Sequence, residues 1–453
     1  MKIGFLAMSG IRAHDAELLR LGLTLPGFVE RSKTIASLPS LGLLYLAAAT
    51  PDAQRHELRY FEAEADHKEP AEVYACDLVA ISTFSAQVFE AYAIADRLRA
   101  AEENAPSRQF DSKDFAAVDV AKLPVPRYDL LDLRPYNRFT VQTSRGCHQG
   151  CTFCAEPLMN GLKFRYRPVD EVIREVETCG SRMISINDAD FFGTPERPKE
   201  VMRALIGRGV HWQAGVTSKL AQDDAMLELA AKSGCTMLSI GFESISRNTL
   251  KSVHKHVNRP DQFAALVEKV HSYGIMVFGL FMFGFDTDDE NVFQETAKFN
   301  IDADYDACAY SVLTPYPGTL TWYEMKKADR IVSFDWEKYD QANVVYRPAG
   351  MTGDALRLGH ISAYQTFYAP SSIARRFPLF GKRSRFQWTI YNLFMKKGSA
   401  TDRKDAIASP TAAPDMAPVP PILPIKREWR QSVLEAIGEQ EPAAGGPARL
   451  GIQ

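Results

Sequence analysis

TSRGCHQGCTFCAEP, residues 143–157, sets Cys147, Cys151 and Cys154 in the pattern C-x3-C-x2-C. Thiolates bind soft metals, and their spacing decides which site is feasible. A tetrahedral zinc site needs four ligands, usually from two close pairs. No second cysteine pair follows downstream, and His148 adjoins Cys147, where reaching the same ion would strain the turn. Unligated thiols are the plainest alternative. A 4Fe–4S cluster is normally held by four thiolates. Three would leave one iron open to a cofactor or substrate, as the open position of a catalytic zinc is. Gly146 and Gly150 let the backbone wrap closely around such a group.

The run TVQTS leads into this loop, so the loop sits at the C-terminal end of a strand. From there to about Asp340 one theme repeats. Apolar strands are expected at Thr140–Thr143, Met183–Asn187, Trp212–Val216, Met237–Phe242, Met276–Phe283 and Ala307–Leu313. Helical periods separate them at Val169–Cys179, Arg197–Arg208, Asp224–Ser233, Asp261–Tyr273 and Glu290–Asp302. Right-handed crossovers would wind these into a parallel sheet with helices outside. Eight such units close a full barrel; six predict an open, partial (βα)6 TIM-type barrel, with its chemistry at the C-terminal ends of the strands.

Upstream, KIGFLAMS (2–9), HELRYFE (56–62) and DLVAIST (77–83) read as strands, and Pro39–Ala49 and Ala86–Ala100 as helices. This is part of a Rossmann-like parallel α/β sheet. Residues 1–104 are assigned to it, 105–137 to a polar linker, and 138–340 to the barrel. A helical C-terminal extension follows at 341–400, then an Ala- and Pro-rich tail at 401–453 that is expected to be mostly disordered. The segment 375–397, RRFPLFGKRSRFQWTIYNLFMKK, interleaves seven basic residues with aromatics and contains no acid. Two readings are open for it: a helix pair packed on the barrel with a basic face in solvent, or an interfacial surface meeting anionic membrane or a lipid-like substrate.

The 453 residues carry a formal net charge of −3 and 46% hydrophobic residues, ordinary for a globular enzyme. That charge argues against nucleic acid as a general partner. No apolar run is long enough to cross a membrane. The N-terminus lacks the apolar core and cleavage site of a secretory signal. Cys76, Cys179, Cys235 and Cys308 are scattered and read as buried free thiols. A reducing, cytoplasmic setting fits, at most peripheral to the inner membrane face. His14, His56 and His211 read as surface or core histidines rather than ligands.

The cysteine pattern, with Phe153 before its last cysteine and a partial βα barrel around it, resembles the radical S-adenosylmethionine (radical SAM) superfamily. The resemblance covers residues 138–340. It implies that Cys147, Cys151 and Cys154 hold a 4Fe–4S cluster whose open iron is chelated by SAM. Reductive cleavage of SAM then yields a 5′-deoxyadenosyl radical that takes hydrogen from a substrate. By the same resemblance, Asp188 and Asp190 of INDADFFG are candidates for the SAM amino group, with turn capping as the alternative. Glu243 of MLSIGFES and Ser218 of GVTSKL are further SAM candidates, and Phe153 would lie by the adenine. GLFMFGF (279–285) would flank the adenine or simply pack the core. LTPYPGT (313–319) forms a rigid turn near the pocket mouth. The sequence names no catalytic residue beyond these.

The N-terminal stretches LPSLGLLYLAAATPD, HELRYFEAEAD and CDLVAISTFSAQVFEAYAIADRLRA resemble the first half of a cobalamin-binding domain. That domain precedes the barrel in a branch containing the hopanoid C-2 methylase and the anaerobic magnesium-protoporphyrin monomethyl ester cyclase. Two further βα units of that domain are missing, as is the D-x-H-x-x-G motif. Cobalamin is therefore left open as a cofactor. With it the resemblance implies methyl transfer to an unactivated carbon; without it, radical cyclisation, oxidation or rearrangement. The substrate expected is a small, lipid-like or tetrapyrrole-like metabolite, and the electron donor a reductase such as flavodoxin or ferredoxin. Two other readings carry less: a tRNA methylthiotransferase, which needs three more cysteines before the barrel, and an electron-transfer iron–sulfur protein, which needs no open iron.

Overall fold

The computed structural model describes residues 1–8, 39–63, 69–83, 88–101, 118–132, 136, 139–219, 223–379, 381–393 and 395–396. His14, most of the expected linker and the tail from 401 lie outside the described residues.

Two parallel sheets make up the strand framework. The first has strand order β2-β1-β3, with β1 at Lys2–Ala7, β2 at Glu57–Glu62 and β3 at Leu78–Ser82. Its central strand is buried after Lys2, as a strand covered on both faces should be. Helices α1 (Leu41–Ala48) and α2 (Val88–Ala100) cover it. Among the described residues nothing pairs with the outer edge of β3, so the half-sheet expected from the sequence is what forms.

The second sheet runs β11-β10-β9-β8-β7-β4, every pair parallel. Its strands are β4 (Phe139–Val141), β7 (Met183–Ile186), β8 (His211–Val216), β9 (Cys235–Glu243), β10 (Met276–Phe283) and β11 (Ala307–Val312). A two-stranded ribbon, β5 (Ser144–Arg145) with β6 (Arg165–Tyr166), brackets the cysteine loop. The loop itself carries a short helix, α3 (Glu156–Asn160). Then α4 (Val169–Thr178), α5 (Arg197–Leu205), α6 (Asp224–Lys232), α7 (Arg247–Ser252), α8 (Phe263–Ser272) and α9 (Val292–Asp302) return the chain between strands, and α10 (Leu320–Lys327) follows the last of them. Strand order follows sequence order, as right-handed crossovers require, and the predicted six-unit barrel is observed. The helices that sequence reading missed, α3, α7 and α10, are short and lack a full amphipathic period.

The open edge at β11 is covered without another strand. Helix α11 (Gly353–Phe367) lies along it. The Cys308 N–H donates to Tyr368 Oη at 2.9 Å, and that hydroxyl donates back to the Cys308 carbonyl at 2.7 Å. Two residues on, the Tyr310 N–H donates to Tyr364 Oη at 3.0 Å, while His360 Nε2 meets the Tyr310 carbonyl at 2.7 Å. Burial holds the His360 pKa below its ordinary value, so the neutral ring donates here. The Val312 N–H donates to the Gln341 carbonyl at 2.7 Å. Three side chains and one backbone carbonyl thus satisfy backbone groups that an edge strand leaves unpaired. Replacing Tyr368 with Phe strands both backbone groups of Cys308. We expect a loss of about 1–3 kcal/mol of stability, read by denaturant unfolding of the apoprotein; an unchanged midpoint would show that the hydroxyl bears no load.

A thiol loop at the C-terminal edge of the barrel

The cysteine loop leaves the end of β4 and is pinned at three places. At its start, Asp188, just past β7, accepts from the backbone N–H groups of Thr143 and Ser144 at 2.7 and 3.1 Å. It also accepts from both hydroxyls, with Ser144 Oγ at 2.7 Å and Thr143 Oγ1 closer still. At its middle, the Thr152 N–H donates to the Val253 carbonyl at 3.3 Å, beyond β9. There too Thr321 of α10 donates to Thr152 through its N–H and its hydroxyl, both at 3.1 Å. At its end, the Cys147 N–H donates to the Gly161 carbonyl at 3.2 Å. Gly146 has φ +102°, and a Cβ there would stand 2.3 Å from the Lys163 carbonyl oxygen. Only glycine fits that turn. A loop from the first unit is thereby tied to the second, fourth and sixth.

Burial pushes the Cys147 thiol up to about 11 and the Cys154 thiol up to about 12, and it raises Cys151 as well. The nearby charge of Lys255 opposes the rise at all three. Metal binding here would release protons and place anionic sulfur in a low-dielectric pocket. Among the described residues, no group of three His, Cys, Asp or Glu side chains converges to hold one metal ion.

The other sequence-predicted residues lie in this loop or at the C-terminal ends of the strands. Phe153 is half-buried and meets the Phe285 ring edge-on at 5.9 Å, just beyond β10. Asp190 is buried and accepts from the Thr217 N–H at 3.0 Å and the Thr217 hydroxyl at 2.9 Å. Ser218 donates to Asn258 Oδ1 at 2.7 Å, and Asn258 donates at 2.8 Å to the carbonyls of Gly241 and Phe242. Glu243 ends β9 with φ +64°, just past a register shift against β10. Strain of this kind is tolerated where the surroundings over-determine it. The Glu243 carboxylate folds back over Gly241, where a Cβ would stand 2.6 Å from Oε1.

Lys255 was not singled out from sequence. Its ammonium donates to Glu243 Oε1 at 3.2 Å, with both side chains nearly buried. Burial works against its charge, but the fields of Cys151 and Glu243 outweigh this and raise its pKa. Its only sequence signal was its place in the polar run HKHVN, too ordinary to read. Asp188 takes up the capping role given above as the alternative. Both of its oxygens are occupied by Thr143 and Ser144, which makes it a clamp on the loop. Burial raises its pKa and those four hydrogen bonds oppose the rise. His211 is exposed at the start of β8, at the opposite end of the sheet.

The comparisons with known proteins agree with this geometry. Residues 141–299 match the radical SAM superfamily. From the end of β4 into α9, the barrel is thus similar to radical SAM domains. The chain is 35% identical over 263 residues to bacteriochlorophyllide d C-12(1)-methyltransferase of Chlorobaculum tepidum, covering 57% of each chain. It is 25% identical over 240 residues to the hopanoid C-2 methylase of Rhodopseudomonas palustris, covering 51% of this chain and 46% of that one. The chain thus spans about half the length of these curated relatives. Its fold is similar to that of the cobalamin-dependent radical SAM enzyme OxsB solved with aqua-cobalamin, at TM-score 0.61 and 13% identity over 89% of this chain and 72% of that one. Replacing Asp188 with Asn puts an amide donor against the donors of Thr143 and Ser144. We expect a loss of about 1–3 kcal/mol at the loop, read as lower iron retention after anaerobic reconstitution. Iron content equal to that of the unaltered protein would exclude the clamp.

Proposed function

We propose that this chain is a radical SAM enzyme that modifies an unactivated carbon of a tetrapyrrole-like or lipid-like metabolite, most simply by C-methylation. The observation that carries the reading is the three-thiol loop facing the buried Lys255–Glu243 pair, in a chain 35% identical to a bacteriochlorophyllide methyltransferase.

The donor set fits a 4Fe–4S cluster with one iron left without a protein ligand. When bound, such a cluster supplies the electron that cleaves SAM at its sulfonium carbon–sulfur bond. The protein's own contribution is binding and orientation. Cys147, Cys151 and Cys154 would hold three irons. Lys255 offers a buried cation to the SAM carboxylate, and Glu243 an acceptor to its polar groups. Phe153 and Phe285 form an aromatic wall suited to adenine. Asp190, hydrogen-bonded to Thr217 at the end of β8, and Ser218, hydrogen-bonded to Asn258, would keep the rim rigid.

The similarity of the fold to an enzyme solved with aqua-cobalamin supports cobalamin as a further cofactor. The N-terminal sheet has three strands among the described residues, and no step is derived through a corrin. The electron donor under this reading is a flavodoxin- or ferredoxin-type reductase, and the segment 375–397 contacts a membrane surface. No helix among the described residues is long and apolar enough to cross a membrane.

Two variants test the reading. Cys151→Ala should abolish the cluster's visible absorbance and all SAM cleavage; normal turnover would refute the enzyme assignment. Lys255→Met should retain the cluster but weaken SAM binding on the order of tenfold or more, the loss expected on removing a buried charged partner. Equal SAM affinity, read by spectral titration of the reduced protein, would remove Lys255 from the site.

A further inference from the structure

The C-terminal extension closes the barrel at the end opposite the thiol loop. Helix α12 (Pro370–Arg376) and a second helix over 385–393 run beneath the N-terminal ends of the strands. Arg376 is buried; its guanidinium donates to the Tyr305 carbonyl at 2.9 Å and the Asp306 carbonyl at 3.3 Å, just before β11. Asn392 donates to the same Asp306 carbonyl at 2.9 Å. Tyr391 reaches Gln213 of β8 at 3.3 Å, and Gln387 reaches Thr236 of β9 at 3.4 Å. Trp388, Tyr391 and Met395 join the main core. Arg383 pairs with Asp304 and Asp306 at 2.9 and 2.7 Å. The inward face of this segment is accounted for.

Among the described residues nothing covers its outward face. Leu379, Phe386 and Leu393 are 61%, 76% and 57% exposed. Phe386 and Leu393 are seven residues apart on the helix, hence on one face, opposite Trp388 and Asn392. Lys382, Arg385 and Lys396 are exposed around them, and the segment 375–396 has no acidic residue. Exposed aromatic and leucine side chains ringed by cations, on a helix whose other face is anchored, match a surface helix lying in the headgroup region of an anionic bilayer. The apolar side chains would enter the acyl boundary while the cations meet lipid phosphates.

We propose that the floor of the barrel, through Leu379, Phe386 and Leu393 with Lys382, Arg385 and Lys396, docks on a membrane rich in anionic lipid. The mouth of the thiol site then points away from the bilayer. The inference rests on the membrane contact proposed above and adds its face and orientation: the membrane tethers the protein and does not seal its mouth, so substrate comes to the site from the aqueous side.

Vesicle flotation of the full chain tests this apart from catalysis, because it requires no cluster. Binding is expected to vesicles of phosphatidylglycerol and phosphatidylethanolamine, and not to pure phosphatidylcholine. The double variant Phe386→Ser, Leu393→Ser should lower that binding about tenfold or more, as should Lys382→Glu with Lys396→Glu. All four side chains are exposed, so melting temperatures should hold. Met159→Ser, on the 77%-exposed residue beside the thiol loop, should leave flotation unchanged. Failure of the parent chain to float with anionic vesicles overturns the docking. Loss of flotation in Met159→Ser, with the floor variants unaffected, overturns the orientation. SAM cleavage assayed in detergent-free buffer reports separately on the radical SAM reading.

Discussion

One buried carboxylate holds the candidate site in place. Asp188 lies at the end of β7, and its two oxygens collect two backbone N–H groups and two hydroxyls from the turn that opens the thiol loop. A buried carboxylate is costly unless every lone pair is engaged. Here its engagement is what joins the first and second barrel units at their C-terminal ends. Asp190 repeats the device one strand further, gripping Thr217 after β8. The stretch INDADFFG therefore ties the ends of three neighbouring strands together. A thiol loop must present its sulfurs in fixed relative positions, and hydrogen bonds that hold the ligating loop from behind are how metal sites achieve that.

The two ends of the barrel solve different problems. At the C-terminal ends the chain leaves polar groups, a strained Glu243 and glycines where backbone or carboxylate must pass close by. At the N-terminal ends it packs Trp388, Tyr391 and Met395 and buries Arg376 against carbonyls. The two edges also differ. β4 is short, and Tyr128 Oη reaches its Thr140 carbonyl at 3.2 Å. β11 is long and fully buried, and three side chains of the C-terminal extension serve its backbone. The extension is thus part of the barrel's integrity. The small N-terminal sheet joins through a buried polar knot in which Glu175 of α4 accepts from Tyr45 of α1 at 2.7 Å and pairs with Arg167. Replacing one partner of such a knot would leave a buried charge without compensation.

Much of this was legible in the sequence, for identifiable reasons. The strands were, because buried parallel strands are continuous apolar runs; Met276–Phe283 matches residue for residue. The thiol loop was, because three cysteines in C-x3-C-x2-C have few other uses. The roles of individual carboxylates were not. Asp188 and Asp190 are two residues apart in one short stretch, and nothing in that stretch shows that the first faces back to Thr143 while the second faces forward to Thr217. Lys255 was invisible because a lysine among histidines reads as surface. Its burial depends on the turn after α7 folding back under β9. The basic segment 375–397 left two readings open because its period carries apolar residues on both faces. The structure assigns Trp388 and Arg376 inward and leaves Phe386 outward, so packing on the barrel and an apolar outer surface coexist.

The charges around the thiol loop form an unbalanced set, and the imbalance is informative. Asp188 is compensated by hydrogen-bond donors and Asp190 by donors together with the nearby charge of Lys255, whereas Glu243 pairs directly with that buried cation. The buried Cys151 and the half-buried Cys147 and Cys154 lie within the same field. Bound metal would turn those thiols into anions, and a lone lysine already shared with Glu243 would then be the main positive charge nearby. A ligand carrying both an ammonium and a carboxylate suits such a site better than a simple anion or a neutral molecule. Its carboxylate can approach Lys255 while its ammonium offsets Glu243 and the sulfur-rich side. A simple anion would add to the negative field, and a neutral ligand would leave the pair as it is. This is the charge pattern of an amino acid, and SAM presents it together with a positive sulfonium and an aromatic base that the Phe153–Phe285 wall can receive.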